Sequence, residues 1–197
     1  MFRFRTAQAA RPDMSRRRVL TGLVGAAAAT AVLPALSTPA IAAVPRIPAD
    51  VGRLKFKNLH TGEMLDVTYR EEGHYLPDAL GEINHILRDH RTGDIYEMDR
   101  ELMDLLTDLA ASVDRPMGTF NIISGYRSPK TNATLAAKSN GVARKSYHMR
   151  GMAIDVSMDG VDLMDLHKAA LRLKRGGVGD YPRSGFIHVD TGRVRSW

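Results

Sequence analysis

One stretch of the chain passes from a polar loop into an apolar strand and carries both a histidine and an aspartate: Ser146-Tyr147-His148-Met149-Arg150-Gly151-Met152-Ala153-Ile154-Asp155. Residues 152–157 have the composition of a β-strand, so Asp155 is predicted to lie among buried apolar neighbours. A buried carboxylate is costly unless a positive group meets it. Residues 186–190 predict a further strand, which contains His188. The sequence therefore concentrates its chemistry in these two segments.

Two histidines and one carboxylate from separate loops and strands are typical of a catalytic zinc site, because three protein ligands leave a fourth position for water. His148, Asp155 and His188 form such a set. The chain has no cysteine, which excludes thiolate ligands, a cysteine nucleophile and disulfides. Each of these residues also has a purely structural explanation. A histidine in a strand can be a core or edge group, and Asp155 can be the partner in a buried salt bridge. The spacing of the three residues alone does not exclude these alternatives.

The regions around the two strands predict a single α+β domain over residues 51–197. Polar and apolar residues alternate in 53–59 and 64–69, which predicts a β-hairpin, and residues 120–123 predict another strand. Helices are expected over residues 78–89, 100–113, 130–138 and 163–174. Strands and helices do not alternate as regular βα units, which favours a small, mostly antiparallel sheet flanked by helices. Residues 176–179, rich in glycine, are interpreted as a mobile or tightly turned cleft wall.

The first 42 residues have the layout of a signal peptide. Arg16-Arg17-Arg18 precedes a short, alanine-rich apolar run, and Ala40-Ile41-Ala42 offers a cleavage site before Ala43. The arginine pair resembles a twin-arginine signal, which predicts export to the periplasm and only transient membrane contact. An uncleaved anchor is the alternative. Residues 43–50 contain two prolines and no periodicity, and are predicted to be a linker.

The positive charge of the chain belongs to this leader. The net charge is +6, and the first 42 residues hold six arginines against one aspartate, which leaves only +1 for the rest. A nucleic-acid-binding domain needs clustered positive charge on the domain itself. The sequence therefore predicts no nucleic-acid partner, and it leaves the oligomeric state open.

Four motifs in order make the chain similar to a known family. They are Ser124-Gly125-Tyr126-Arg127-Ser128, then Ser146-x-His148-x-x-Gly151-x-Ala153-x-Asp155, then Gly176-Gly177-Val178-Gly179, then Phe186-Ile187-His188-Val189-Asp190-Thr191-Gly192. These motifs resemble the YcbK-like murein endopeptidases. That family belongs to the wider group of zinc D-Ala-D-Ala carboxypeptidases, lysostaphin-type enzymes and hedgehog domains. The resemblance implies a zinc metallopeptidase, with Zn²⁺ held by His148, Asp155 and His188 and peptidoglycan peptide stems as substrate.

The roles of two further residues follow from this expectation. Arg127 is the best candidate for binding the developing oxyanion, because its guanidinium stays charged and offers a fork of donors; a loop-holding role is the alternative. Many relatives place an acid three residues before the last zinc histidine, where this chain has Gly185. Asp190 is then the nearest carboxylate for a general base, and it equally suits an acceptor that orients an imidazole N–H.

Three functions are therefore open at the level of the sequence. The leading hypothesis is a murein endopeptidase that hydrolyses the peptide cross-links of peptidoglycan. The same chemistry would serve a D-alanyl-D-alanine carboxypeptidase, because the bond that is cut depends on the shape of the cleft. The missing acid at Gly185 leaves room for a non-catalytic, zinc-stabilised module that binds the cell wall.

Overall fold

The predicted hairpin forms one side of an eight-stranded sheet. A computed structural model describes Pro48, residues 50–138 and residues 142–197 of the chain. The strands are β1 (Gly52–Asn58), β2 (Met64–Glu71), β3 (His74–Tyr75), β4 (Thr119–Ser124), β5 (Ala153–Met158), β6 (Gly177–Tyr181), β7 (Phe186–Asp190) and β8 (Arg195–Ser196). Their order across the sheet is β3-β2-β1-β4-β5-β7-β6-β8. The predicted α+β class and mostly antiparallel sheet are confirmed.

The expectation of a small sheet is wrong. The strands β1 and β4, and likewise β6 and β8, pair in parallel, so the sheet is mixed as well as large. Parallel neighbours need a crossover connection rather than a tight turn, and sequence alternation within each strand does not reveal such long-range pairing. Three strands, β3, β6 and β8, were not expected from the pattern, and two of them are only two residues long.

The four helices are α1 (Pro77–Ile86), α2 (Arg100–Ser112), α3 (Pro129–Lys138) and α4 (Leu163–Leu173). Side-chain caps begin three of them: Asp99 accepts from the backbone N–H of Glu101, Ser128 from that of Thr131, and Asp162 from that of Met164. Helix α1 ends three residues earlier than predicted. The chain turns there around Asp89, whose backbone carbonyl accepts from the N–H groups of Thr92 and Gly93.

Helices α2 and α4 pack against the middle strands of the sheet, where the buried residues are mainly apolar. Phe56 on β1 faces Phe120 on β4, with ring centroids 6.3 Å apart, and both rings are fully buried. Five of the six residues of β5 are buried, as is typical of a strand covered on both faces. The two apolar segments singled out in the sequence, β5 and β7, are therefore neighbouring central strands, and they pair antiparallel.

The glycine-rich residues 176–179 were wrongly interpreted as a turn or mobile wall. Gly177 begins β6, which pairs with β7 from Val178 to Tyr181 and with β8 at Gly177 and Val178. Glycine has low strand propensity, but it is used where another group must approach the backbone closely. The approaching groups are side chains of the C-terminal segment, described below.

The predicted signal peptide of residues 1–42 lies outside the described residues, and so does most of the predicted linker of residues 43–50. Within the described part of the chain, no helix is long and apolar enough to span a membrane.

Candidate metal centre and cleft

Two neighbouring strands and one short turn bring the predicted ligands together. Asp155 and His188 are directly paired in the register of β5 and β7, so their side chains project from the same face of the sheet. His148 lies in a 3₁₀ turn, Tyr147–Arg150, just before β5. Ser146 begins this turn by accepting from the N–H of His148, and Gly151 ends it with a φ of 66°, a conformation that favours glycine.

The ligand atoms form a compact triangle. His148 Nε2 lies 3.2 Å from His188 Nδ1 and 3.3 Å from Asp155 Oδ1, and the last two atoms are 2.9 Å apart. Zinc bonds of about 2.0–2.1 Å in a tetrahedral arrangement place donor atoms roughly 3.3 Å apart. All three residues are buried, and among the described residues this is the sole cluster of three or more His, Asp or Glu side chains suited to a metal. The donor set therefore fits zinc.

Each imidazole makes a second contact that leaves the ligand nitrogen free. His148 Nδ1 lies 2.8 Å from the carbonyl oxygen of Gly125, and His188 Nε2 lies 3.0 Å from Asp190 Oδ2. Since both partners are acceptors, these two ring nitrogens donate their protons. The lone pairs of His148 Nε2 and His188 Nδ1 then point into the triangle, as metal binding requires.

The carboxylate of the triangle is kept ionised by its neighbours. Burial raises the pKa of the Asp155 carboxyl, but the adjacent His148 and His188 imidazoles outweigh burial and lower that pKa below its usual value. Asp155 Oδ2 faces Arg127 Nη2 at 3.6 Å. The site thus offers two imidazole nitrogens and one negative oxygen as donors.

Asp190 lies behind His188 and has no exposed surface. Its Oδ1 accepts from the backbone N–H groups of Gly177 and Gly192, and Arg195 pairs with both carboxylate oxygens. Burial raises the pKa of Asp190, whereas the bonds from His188 and Arg195 lower it to below its usual value. Asp190 therefore contacts the far nitrogen of a ligand imidazole and lines no part of the cleft.

Arg127 is positioned by the loop that follows β4. Its backbone N–H donates to the carbonyl of His148 at 3.2 Å, and Nη2 lies 3.3 Å from Ser124 Oγ. The next residue, Ser128, donates its N–H to the buried carboxylate of Asp89 at 2.9 Å. Burial lowers the pKa of Arg127, and its Nε has no hydrogen-bond partner among the described residues. The guanidinium thus lies beside the triangle, with Nη2 facing Asp155 Oδ2.

The triangle opens into a cleft of about 290 Å³. Its lining combines the ligands with cations, aromatic rings and the segment after α3: Arg127, Val142, Ala143, Lys145, Ser146, Tyr147, His148, Asp155, Tyr181, Phe186, His188, Arg195 and Trp197. Among the described residues, Asp155 supplies the only side-chain carboxylate of this lining. The remaining histidines, at positions 60, 74, 85, 90 and 167, lie outside the cleft.

Sequence reasoning missed the part of the cleft that the C-terminal segment builds. Arg195 and Trp197 follow the last recognisable motif, and nothing in their local pattern marks them as site residues. The only sequence signal for these two residues is the glycines of β6, which leave space for their side chains. A Cβ on Gly179, for example, would lie 2.7 Å from the Trp197 ring.

Comparison with known proteins gives a consistent set of relatives. Residues 46–197 match a family model described as peptidoglycan L,D-endopeptidase MepK. The chain is 42% identical over 191 residues to the Escherichia coli K12 protein of that name, and the match covers 94% of this chain and 98% of that protein. A Haemophilus influenzae protein named probable peptidoglycan L,D-endopeptidase MepK is 37% identical over 190 residues, with 94% and 96% covered.

Proposed function

The chain belongs to the peptidoglycan L,D-endopeptidase MepK family, and we propose on that premise that it is a zinc-dependent murein endopeptidase. The resemblance to murein endopeptidases inferred from the four motifs is confirmed at the level of the family. The reaction is hydrolysis of peptide cross-links in peptidoglycan, at a bond between an L- and a D-residue as in the names of the relatives. One observation carries this proposal: three donor atoms 2.9–3.3 Å apart at the base of an open cleft.

In this proposal His148 Nε2, Asp155 Oδ1 and His188 Nδ1 hold the zinc. When bound there, zinc supplies a Lewis acid that polarises a peptide carbonyl and makes water a better nucleophile at neutral pH. The two imidazoles serve as neutral ligands because Gly125 and Asp190 accept their other ring protons. Asp155 contributes the negative charge that a divalent cation favours.

Arg127 binds the oxygen of the scissile carbonyl as negative charge develops on it. The support is its place in the cleft lining, with Nη2 3.6 Å from Asp155 Oδ2. A cation in a partly desolvated cleft stabilises an oxyanion more strongly than the same cation does in water. Of the two roles open for Asp190, we assign it that of orienting His188, because it is fully buried and contacts the nitrogen remote from the triangle.

Peptidoglycan lies outside the cytoplasm, so the proposed site of action is the periplasm. Residues 1–42 carry the export signal, and the Arg16-Arg17 pair assigns it to the twin-arginine route. Expression of the tagged chain in a bacterium that lacks twin-arginine translocation tests this assignment. The cytoplasm should then retain the chain, whereas a normal host should yield a periplasmic form that starts at Ala43. Retention of residues 1–42 in the exported protein would support the anchor instead.

The function itself is tested on purified cross-linked muropeptides of defined linkage, with and without chelator. We expect cross-linked dimers joined through L,D bonds to become monomers, and chelator to prevent it. His188→Ala should be inactive, and His74→Ala, which alters an exposed histidine outside the cleft, should match the unaltered chain. Release of single alanine residues would indicate a carboxypeptidase. Binding of the wall without any product would indicate a non-catalytic module.

A further inference from the structure

Arg195 is joined to the metal ligands through one buried carboxylate. Its Nη1 donates to Asp190 Oδ1 at 3.0 Å and its Nη2 to Asp190 Oδ2 at 2.6 Å. The same Oδ2 accepts from His188 Nε2 at 3.0 Å. A continuous line of hydrogen bonds therefore runs from Arg195 through Asp190 to the ligand His188.

The two oxygens of Asp190 are held differently. Oδ1 also accepts from the backbone N–H groups of Gly177 and Gly192, at 3.1 and 2.8 Å, so the backbone holds it whether or not Arg195 is present. Oδ2 has only Arg195 and His188 as hydrogen-bond partners among the described residues. Arg195 is thus the group that directs the second carboxylate oxygen towards the imidazole.

The chain provides a shaped place for this guanidinium. It lies between two aromatic rings, 5.3 Å from the centroid of Tyr147 and 4.7 Å from that of Trp197. Three glycines leave the necessary space, because a Cβ on Gly177 would collide with Arg195 itself. A Cβ on Gly179 would come within 2.7 Å of the Trp197 ring, and one on Gly192 within 2.6 Å of the Tyr147 ring. A planar, forked cation fits this place, and a lysine ammonium does not reproduce its two parallel bonds.

The geometry points to Arg195 as a positioning residue for the metal ligand His188. By holding both oxygens of Asp190, Arg195 fixes the acceptor of the Nε2 proton and thereby keeps the Nδ1 lone pair directed into the space that His188 shares with His148 Nε2 and Asp155 Oδ1. This inference rests on the proposed zinc site and adds to it a residue whose hydrogen bonds reach His188 through Asp190. Loss of a group that hydrogen-bonds to a metal ligand typically lowers the metal affinity about 10–100-fold.

The test measures the zinc dissociation constant of the full chain by competition with a chelator. It is combined with the visible absorption spectrum of the Co²⁺-substituted protein, which reports ligand geometry. Arg195→Ala should weaken zinc binding about 10-fold or more and alter the Co²⁺ spectrum, and Arg195→Lys should restore only part of the loss. Arg53→Ala is the matched control, because Arg53 makes a similar forked pair with a carboxylate, that of Asp66, and lies outside the cleft. It should leave both readouts unchanged.

A double variant separates positioning from a general structural role. If Arg195 acts through Asp190, Arg195→Ala should add less than about 3-fold to the loss in zinc affinity already caused by Asp190→Asn. Additive losses, or full zinc affinity with an unchanged Co²⁺ spectrum in Arg195→Ala, would overturn the inference. If Arg195→Ala does not fold, the zinc affinity and the Co²⁺ spectrum of Arg195→Lys provide the test instead, and full affinity with an unchanged spectrum would overturn the inference. An unaltered chain that binds no zinc would overturn the proposed function itself, which is a distinct result.

Discussion

Asp89→Asn is expected to destabilise the protein in a pH-dependent way, because Asp89 anchors the loop that carries Arg127. Its side chain is only 1% exposed and accepts from the N–H groups of Ser128 and Arg91 at 2.9 and 3.0 Å. Burial raises the pKa of the Asp89 carboxyl, but the bonds from Thr131 and Ser128 prevail and lower it from 3.8 to about 2. The folded state thus prefers the ionised form.

The size of the effect follows from this difference in pKa between the folded and unfolded states. A tenfold change in proton affinity is worth about 1.4 kcal/mol, so the ionised carboxylate contributes about 2 kcal/mol to the free energy of unfolding. Because the folded pKa is the lower one, this contribution is complete above about pH 4 and disappears as the pH falls towards 2. Asparagine keeps one acceptor oxygen and the shape of the side chain, but it carries no charge and does not titrate. Asp89→Asn therefore lacks this contribution at every pH.

Urea denaturation of the unaltered chain and Asp89→Asn at a series of pH values measures the difference directly. We expect Asp89→Asn to be less stable by about 2 kcal/mol at pH 7, with the gap closing between pH 4 and pH 2. Asp180→Asn is the control, since Asp180 is an exposed carboxylate on β6, and it should change stability by less than about 0.5 kcal/mol. A gap at pH 7 that stays constant down to pH 2 would refute the assignment of the effect to the charge of Asp89.

Three further predictions concern the site. His148→Ala and His188→Ala should each strongly reduce bound zinc in metal analysis, and full stoichiometric zinc in both would contradict the ligand assignment. Arg127→Ala should lower turnover of cross-linked muropeptides about 10²–10³-fold with zinc still bound, and Arg127→Lys should recover only part of that loss. Normal turnover in Arg127→Ala would make Arg127 a loop-holding residue. Asp190→Asn should weaken zinc binding about 10–100-fold, with activity largely recovered in excess zinc; lost activity with tight zinc would instead favour the general-base role.

The grouping of the three candidate ligands could be expected in part from the sequence, because two of them lie in segments with a clear local signal. Asp155 and His188 stand inside short apolar runs, where a polar side chain needs a special reason. What these runs do not reveal is that β5 and β7 are neighbours in a register that pairs Asp155 with His188. Pairing of that kind depends on contacts between distant segments, and alternation within a strand carries no information about them.

The rest of the site depends on long-range contacts that leave weaker traces in sequence. The loop at residues 124–128 is held by Asp89 and by the carbonyl of Leu87, which accepts from the N–H of Tyr126. Residues 87 and 89 were predicted to continue a helix, so their role in the loop was not visible. Likewise, the glycines of β6 suggested a turn, because glycine at a close approach and glycine in a turn look the same until the approaching side chain is known.

The two arginines of the cleft differ in their contacts, and this difference supports the different tasks proposed for them. Arg195 is fully engaged, with two short bonds to Asp190 and an aromatic ring on each side. Arg127 approaches Asp155 Oδ2 only to 3.6 Å, and its Nε donates to no described group. A cation already satisfied by a buried carboxylate has little left for a substrate, whereas a loosely paired one can turn its donors to a new oxygen. Loss of Arg127 should therefore appear in turnover with zinc retained, and loss of Arg195 in zinc affinity.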